Sequence, residues 1–299
     1  MTPAPAEFEH AGIRVLGFSL AGEETYYALP ELNIAFDVGR APRELLTIDH
    51  VFLSHGHMDH AAGAAYYFAQ RMFIDNAPGK LWAPEPLVEP LRRLLRVWAD
   101  IDGHEPPGTI QPATAGVDIP VRRDLVVRPF AVNHPCRRHD RTHVQSLGYA
   151  AIEVRQKLRD EFLSLDGPQL VELKKQGVEI TRRIEVPLIT YCGDTGPGSF
   201  IDFDFVRNAR ILLLECTFVE PDHLDRARAG GHLHVSDLRT IVPRLNNELI
   251  VLTHLSRRTG VRDARELLRS ALGDATAERL RFLMEFSRRR SRAGRAKTE

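Results

Sequence analysis

The sequence is short of cysteine, of net charge and of long apolar runs, and each shortage narrows what the chain can be. Its three cysteines, Cys136, Cys192 and Cys216, are odd in number and widely spaced. That excludes a disulfide scaffold and makes a reducing cytoplasm the expected setting. No apolar stretch approaches the roughly 18 residues of a membrane span. The opening MTPAPAEFEH lacks the basic-then-apolar order of a secretory signal, so a soluble, untargeted protein with no membrane partner is expected. The 40 Lys+Arg balance the 40 Asp+Glu over 299 residues, which leaves no whole-body basic footprint for nucleic acid. The balance is uneven: residues 287–299 carry six basic residues and one acidic, so this tail is +5 and residues 1–286 are −5. The tail reads either as a solvated terminus or as an arm drawn to phosphate. No repeat or low-complexity linker interrupts the chain.

Short β-branched and apolar runs recur with turn residues between them. They are IRVLGFSL (13–20), ETYYALP (24–30), LNIAFDVG (32–39), HVFLSHG (50–56), DLVVRPFAV (124–132), SLGYAAIEV (146–154), EVPLITYCGD (185–194), ARILLLECT (209–217) and ELIVLTH (248–254). These predict strands, several of them covered on both faces. Residues 86–100 place Leu87, Leu91, Leu94, Leu95 and Trp98 on one helical stripe, Ser236 stands as an N-cap before residues 236–247, and residues 263–272 read as another helix. Residues 1–286 are expected to form one α/β domain of two sheets enclosed by helices.

Thirteen histidines are present, and three of them crowd into Ser54-His55-Gly56-His57-Met58-Asp59-His60, directly after an apolar strand. A strand end running into a tight turn lets His55 and His57 point the same way while Asp59 and His60 turn toward a neighbouring point. Imidazoles with a carboxylate suit zinc, with iron or manganese as alternatives. His134, Asp194 and His254 each follow an apolar run as well. Seven ligands imply two ions: His55, His57 and His134 for one, Asp59, His60 and His254 for the other, with Asp194 between them. In the third segment, strand length favours His134, whereas distance to Tyr149 favours His143.

HGHMDH, YCGDT around Asp194, ECTF, GHLHVSD and LTHLSRR together resemble the metallo-β-lactamase superfamily, and within it the short form of ribonuclease Z, most closely the plant nuclear-type members. The likeness runs from about Val15 to Arg258. It implies an αββα four-layer sandwich, two zinc ions on the residues named above, and an endonuclease that removes 3′ trailers from pre-tRNA through a metal-bound hydroxide. It further implies that Asp59 orients or deprotonates the water, that a histidine acts on the leaving oxygen with Glu215 as its carboxylate partner, that Arg258 contacts phosphate, and that the protein is a homodimer. For the histidine, spacing to Ser236 favours His234 over His232. The Gly/Pro-rich arm that many members extend toward tRNA is not evident, residues 156–183 being charged and compact. Hydrolysis of a small phosphodiester or other ester by the same metals is the alternative, and a non-catalytic binding member of the fold a more remote one. Cys192 and Cys216 read as core residues, so no thiol nucleophile is needed.

Overall fold

A computed structural model of the chain describes residues 4–74, 78–135 and 145–287. Cys136, His139, His143 and the basic segment after Ser287 lie outside the described residues. The first sheet runs in chain order through β1 (Ala6–His10), β2 (Ile13–Leu20), β3 (Glu24–Leu29), β4 (Ile34–Phe36), β5 (His50–Phe52), β6 (Gly79–Pro84) and β7 (Gly108–Ala113). The second is ordered in reverse, from β14 (Leu280–Phe282) through β13 (Leu249–Thr253), β12 (Ile211–Glu215), β11 (Thr181–Tyr191), β10 (Leu147–Leu158) and β9 (Leu125–Ala131) to β8 (Ile119–Arg122). Each sheet begins as an antiparallel meander and changes to parallel pairing, at β4–β5 in the first and β11–β12 in the second. Helices α1 (Met58–Ala61), α2 (Ala64–Arg71) and α3 (Glu85–Asp102) belong to the first half. The second carries α4 (Gly167–Lys175), α5 (Asp204–Arg207), α6 (Leu224–Gly230), α7 (Leu238–Ile241), α8 (Val261–Leu272) and α9 (Asp274–Glu278).

The layering follows from the two-residue period of the parallel strands. In β12, Ile211 and Leu213 join Val251, Phe36, Phe52 and Tyr191 in the core between the sheets. Their alternates Leu212 and Leu214 join Ile250, Leu252, Leu238 and Leu268 beneath the helices of the second half. In the first sheet, Val51, Leu53 and Leu81 face Tyr67, Phe68 and Val88. The result is helix, sheet, sheet, helix, as the resemblance implies. Each fully buried leucine or phenylalanine contributes about 1.5–3 kcal/mol relative to exposure.

Five strands carry no signal in the runs read from sequence: β1, β6, β7, β8 and β14. β6 and β7 contain glycine and proline, which normally argue against a strand interior, and β14 has only three residues. The expected helix over 236–247 is broken into α7 and flanking 3-10 turns by Pro243. Its cap also differs. The preceding turn is capped by His234, whose ring accepts from the Ser236 amide, so Ser236 is not the N-cap. On α3, Leu87, Leu91 and Leu95 pack on the core, but Leu94 and Trp98 from the same predicted stripe are exposed. Residues 156–183 are compact, as expected: they complete the β10–β11 hairpin around α4, which starts with a reciprocal Asp166–Gln169 capping box.

Candidate metal centre

Ligands in open α/β sheets gather beyond the carboxyl ends of parallel strands, and here those ends meet at one edge of the sandwich. β4 delivers Asp37, β5 delivers Ser54 and His55, β9 leads to His134, β11 to Asp194, β12 to Glu215 and Thr217, and β13 to His254. Pairing of Glu215 with Thr253 brings the last two strands level. Two non-glycine residues at these ends, Asp37 (φ 55°) and His254 (φ 56°), adopt the left-handed backbone region. Such strain costs about 1–3 kcal/mol per residue and persists only where surrounding contacts enforce it. Gly193 (φ 62°) turns the chain into Asp194, and a Cβ there would stand 3.1 Å from the Leu147 carbonyl oxygen.

The ring nitrogens are oriented from outside. The Nδ1–H of His60 donates to Asp37 Oδ2 at 2.7 Å, and that of His134 to the Gly231 carbonyl at 3.0 Å. Ser54 Oγ donates to Asp37 and accepts from His55 Nδ1 at 3.0 Å. Thr217 Oγ1 donates to Glu215 and accepts from His254 Nδ1 at 2.9 Å. Each of the four histidines therefore turns its Nε2 inward, and His57 turns its Nδ1. These inward atoms crowd together: His55 Nε2 to His57 Nδ1 is 3.0 Å, His134 Nε2 to His57 Nδ1 is 3.2 Å, and His60 Nε2 to His254 Nε2 is 3.4 Å. Donors ~2.0–2.1 Å from a tetrahedral ion stand ~3.3 Å apart, so the spacing fits a metal between them.

Three groups of donor atoms result among the described residues, His55–His57–His134–Asp194, Asp59–His60–His254 and Asp194–His232–His254. Oδ2 of Asp194 joins them, 3.7 Å from His55, 4.0 Å from His134, 3.4 Å from His60 and 3.3 Å from His254. The structure thus brings together all seven residues collected from sequence, His134 among them, while the alternative His143 lies outside the described residues. The electrostatics call for a cation at the centre. Burial, the largest influence on each, raises the carboxyls of Asp59 and Asp194, yet the neighbouring histidines outweigh it and hold Asp59 at about 2 and Asp194 well below the usual carboxylate range. Burial keeps His55 neutral by pushing it well below its ordinary value. His60 is driven the other way: burial would lower it, but Asp194 and Asp37 raise it well above the ordinary range. A divalent ion beside two carboxylates would satisfy the same demand.

His234 is not at this centre. Its Nε2–H donates to the Glu220 carbonyl at 2.9 Å and its Nδ1 accepts from the Ser236 amide, so both nitrogens are committed to capping a turn. His232 is the one that stands beside Glu215 and His254. Its ring stacks on His254 with centroids 5.3 Å apart, and its Nδ1–H donates to Glu215 Oε1 at 2.9 Å. Glu215 is fully buried and also accepts from the Thr195, Thr217 and Leu233 amides. Burial pulls the His232 pKa down, but the Glu215 charge and hydrogen bond prevail and raise it to about 9. Sequence spacing selects the wrong histidine for Glu215, because a two-residue offset in a turn sends the side chains to different sides.

Asp37 is absent from the residues collected on sequence. It accepts from the Ser54 amide, Ser54 Oγ, His60 and the Tyr191 hydroxyl, the last at 2.6 Å. The sequence does carry a signal for it: an acid closing an apolar run, as Asp194 does. A cleft of about 630 Å³ opens over the centre, lined by His57, Asp59, Asp194, His232 and His254 together with Phe218, Arg226, Arg257 and Arg258. Arg257 reaches Glu23 at 3.3 Å. Three guanidinium groups among the cleft-lining residues suit a polyanionic ligand.

Comparison with known proteins places this geometry. The family model described as Beta-lactamase superfamily domain matches residues 29–158. The chain is 34% identical over 254 residues to tRNase Z TRZ2, chloroplastic, of Arabidopsis thaliana, covering 84% of this chain and 69% of that protein. It is 32% identical over 256 residues to tRNase Z TRZ1 of the same plant, covering 84% and 88%. Among solved structures, the metallo-β-lactamase fold protein YhfI from Bacillus subtilis superposes with a TM-score of 0.60 at 14% identity, covering 89% of this chain and 93% of that one. The chain therefore belongs to the tRNase Z, or ribonuclease Z, family of the metallo-β-lactamase fold.

Proposed function

We propose that this chain is a dinuclear-metal phosphodiesterase that removes 3′ trailers from pre-tRNA. The observation that carries the reading is the pair of donor groups joined at Asp194, with the hydrogen-bonded His232–Glu215 pair beside them. His55, His57, His134 and Asp194 would hold one ion, and Asp59, His60, His254 and Asp194 the other; the nitrogen-rich donors favour zinc. When bound, such ions lower the pKa of water to ~7 and neutralise phosphate oxygens.

The chain's own residues divide the remaining work. Asp59 Oδ2, held by the Gly22 amide at 2.7 Å, orients the attacking water and takes its proton. Water attacks the phosphorus, forming a P–O bond as the bond to the ribose 3′ oxygen breaks. The Nε2–H of His232 protonates that leaving oxygen, so the tRNA ends in a 3′-hydroxyl and the trailer keeps a 5′-phosphate. Acid catalysis of this kind is worth about 10²–10⁴ in rate. Glu215 keeps His232 cationic and its ring aligned. Arg258 and Arg226 engage flanking phosphates from the mouth of the cleft.

No described helix is long and apolar enough to cross a membrane. The free, buried thiols of Cys192 and Cys216 support a reducing compartment such as the cytoplasm. Residues 1–286 as one hydrolase domain, residues 287–299 as a basic arm for RNA, and a homodimer complete the proposal. A 3′-extended pre-tRNA assayed beside bis-p-nitrophenyl phosphate and a thioester tests it. Cleavage of the small esters alone would remove tRNA processing.

A further inference from the structure

We propose that Glu23 and Arg257 form an exchangeable ion pair at the cleft: Arg257 leaves Glu23 for a phosphate of an incoming polynucleotide, and Glu23 sets what that exchange costs. The inference rests on the phosphodiesterase reading and adds to it a residue that tunes affinity for the RNA chain. Glu23 stands in the turn between β2 and β3, which lines the cleft with Ala21 and Gly22. That turn is fixed from several sides. The Ala21 amide donates to the Leu255 carbonyl at 3.1 Å, the Gly22 amide to Asp59 Oδ2 at 2.7 Å, and the Glu23 amide to the Leu20 carbonyl at 3.0 Å. The His254 amide donates to Ser19 Oγ at 2.9 Å, so the loop that carries Arg257 leaves β13 tied to the same turn.

Two adjacent glutamates here hold two arginines in different ways. Glu24, buried at the start of β3, is a clamp: Arg40 Nε and Nη2 donate to its Oε2 at 3.1 and 2.7 Å, and the Arg40 amide donates to its Oε1 at 2.9 Å. Glu23 meets Arg257 through Nε to Oε2 at 3.3 Å, and the two side chains are unequally exposed, 19% for Glu23 and 63% for Arg257. The carboxylate is set into the wall while the guanidinium stands in solvent, so the arginine is the partner that can move. An exposed pair of this kind is weak. Of the three cleft arginines, Arg257 is the one with a carboxylate partner among the described residues. Arg226 and Arg258 therefore meet a phosphate directly, whereas Arg257 meets it by giving up Glu23. The guanidinium fork suits either partner, since it matches carboxylate and phosphate alike.

Fluorescence anisotropy of the full, metal-loaded chain over a range of salt tests the proposal, with a 3′-extended pre-tRNA whose scissile linkage is uncleavable and with a short single-stranded RNA. Glu23→Gln keeps the side-chain shape and removes the charge. It should bind both RNAs about two- to five-fold more tightly, the reach of an exposed ion pair, a gain that loss of folding cannot produce. Arg257→Gln should weaken binding and flatten the slope of log affinity against log salt by about 0.7–0.9, the loss of one phosphate contact. The gain from Glu23→Gln should be smaller in the Arg257→Gln background, because part of it runs through Arg257. Unchanged or weaker binding in Glu23→Gln, an unchanged slope in Arg257→Gln, or an equal gain in both backgrounds would each overturn the exchange. Equal wild-type affinity for the two RNAs would count against pre-tRNA as the substrate and not against the exchange, which the short RNA still decides. No binding of either RNA would overturn both.

Discussion

The Nδ1–H of His232 donates to a carboxylate oxygen of Glu215 at 2.9 Å, and the imidazole face lies against the metal-facing His254. Glu215, fully buried, thus anchors an imidazole at the edge of the histidine cluster. His234, two residues away, is tied to the Glu220 carbonyl and the Ser236 amide instead.

Substitution separates the two histidines. His232→Ala should lower turnover on pre-tRNA by about 10²–10⁴, the range for loss of a general acid, with metal stoichiometry held at two. His234→Ala should leave turnover within a few-fold and lower stability by about 0.5–2 kcal/mol, as for other lost caps. Turnover numbers and metal content of both variants decide the assignment.

The pH–rate profile reads the Glu215 contribution. His232, raised to about 9, stays protonated and able to donate at neutral pH, and the rate should fall as pH rises through that value. In Glu215→Gln the raising charge is gone while burial still pulls the pKa down. The alkaline limb should therefore move to lower pH, and the variant should lose more activity at pH 8 than at pH 6. An unmoved limb would detach Glu215 from the acid.

Asp37 orients a metal-facing ring without being a ligand in any of the donor groups. Asp37→Ala removes the acceptor of His60 Nδ1–H and of Ser54 Oγ, which in turn orients His55. Loss of such a partner lowers metal affinity by about 10–100-fold. Competition with a chromophoric chelator would measure it, and an affinity equal to wild type would show that the rings are held by packing alone.

Much of the site is legible in the sequence because the candidate ligands follow apolar runs, and a parallel strand aims its next residues at a shared edge. His55, His57, Asp59, His60, His134, Asp194 and His254 can be collected on that rule. Asp37 obeys the same rule, but it acts on the centre only through His60 and Ser54, and a carboxylate that orients a histidine has no spacing motif. The His232/His234 choice depends on which way a turn points, and a one-dimensional pattern does not encode it. In the fold, the apolar strands β2, β5, β12 and β13 announce themselves, whereas β6 and β7 form despite glycine and proline because long-range pairing outweighs local preference. Leu94 and Trp98 share the predicted stripe of the core-facing residues because the period of a helix does not say where the body beneath it ends.

The basic tail makes a separate prediction. Truncation after Ser287 removes the six basic residues and leaves the described strands intact. If the segment is an arm for RNA, the truncated protein binds pre-tRNA more weakly and its log affinity falls less steeply with log salt, by about 0.7–0.9 in slope for each phosphate the arm neutralises. Unchanged affinity and slope would confine RNA recognition to the cleft.

Incubation of the protein carrying two metal ions per chain with a pre-tRNA extended at its 3′ end tests the central claim most directly. The account predicts one cut at the base of the trailer, leaving a 3′-hydroxyl on the tRNA and a 5′-phosphate on the trailer, with loss of cleavage in His232→Ala. Full metal occupancy with hydrolysis of bis-p-nitrophenyl phosphate or a thioester, and an intact pre-tRNA, would contradict it.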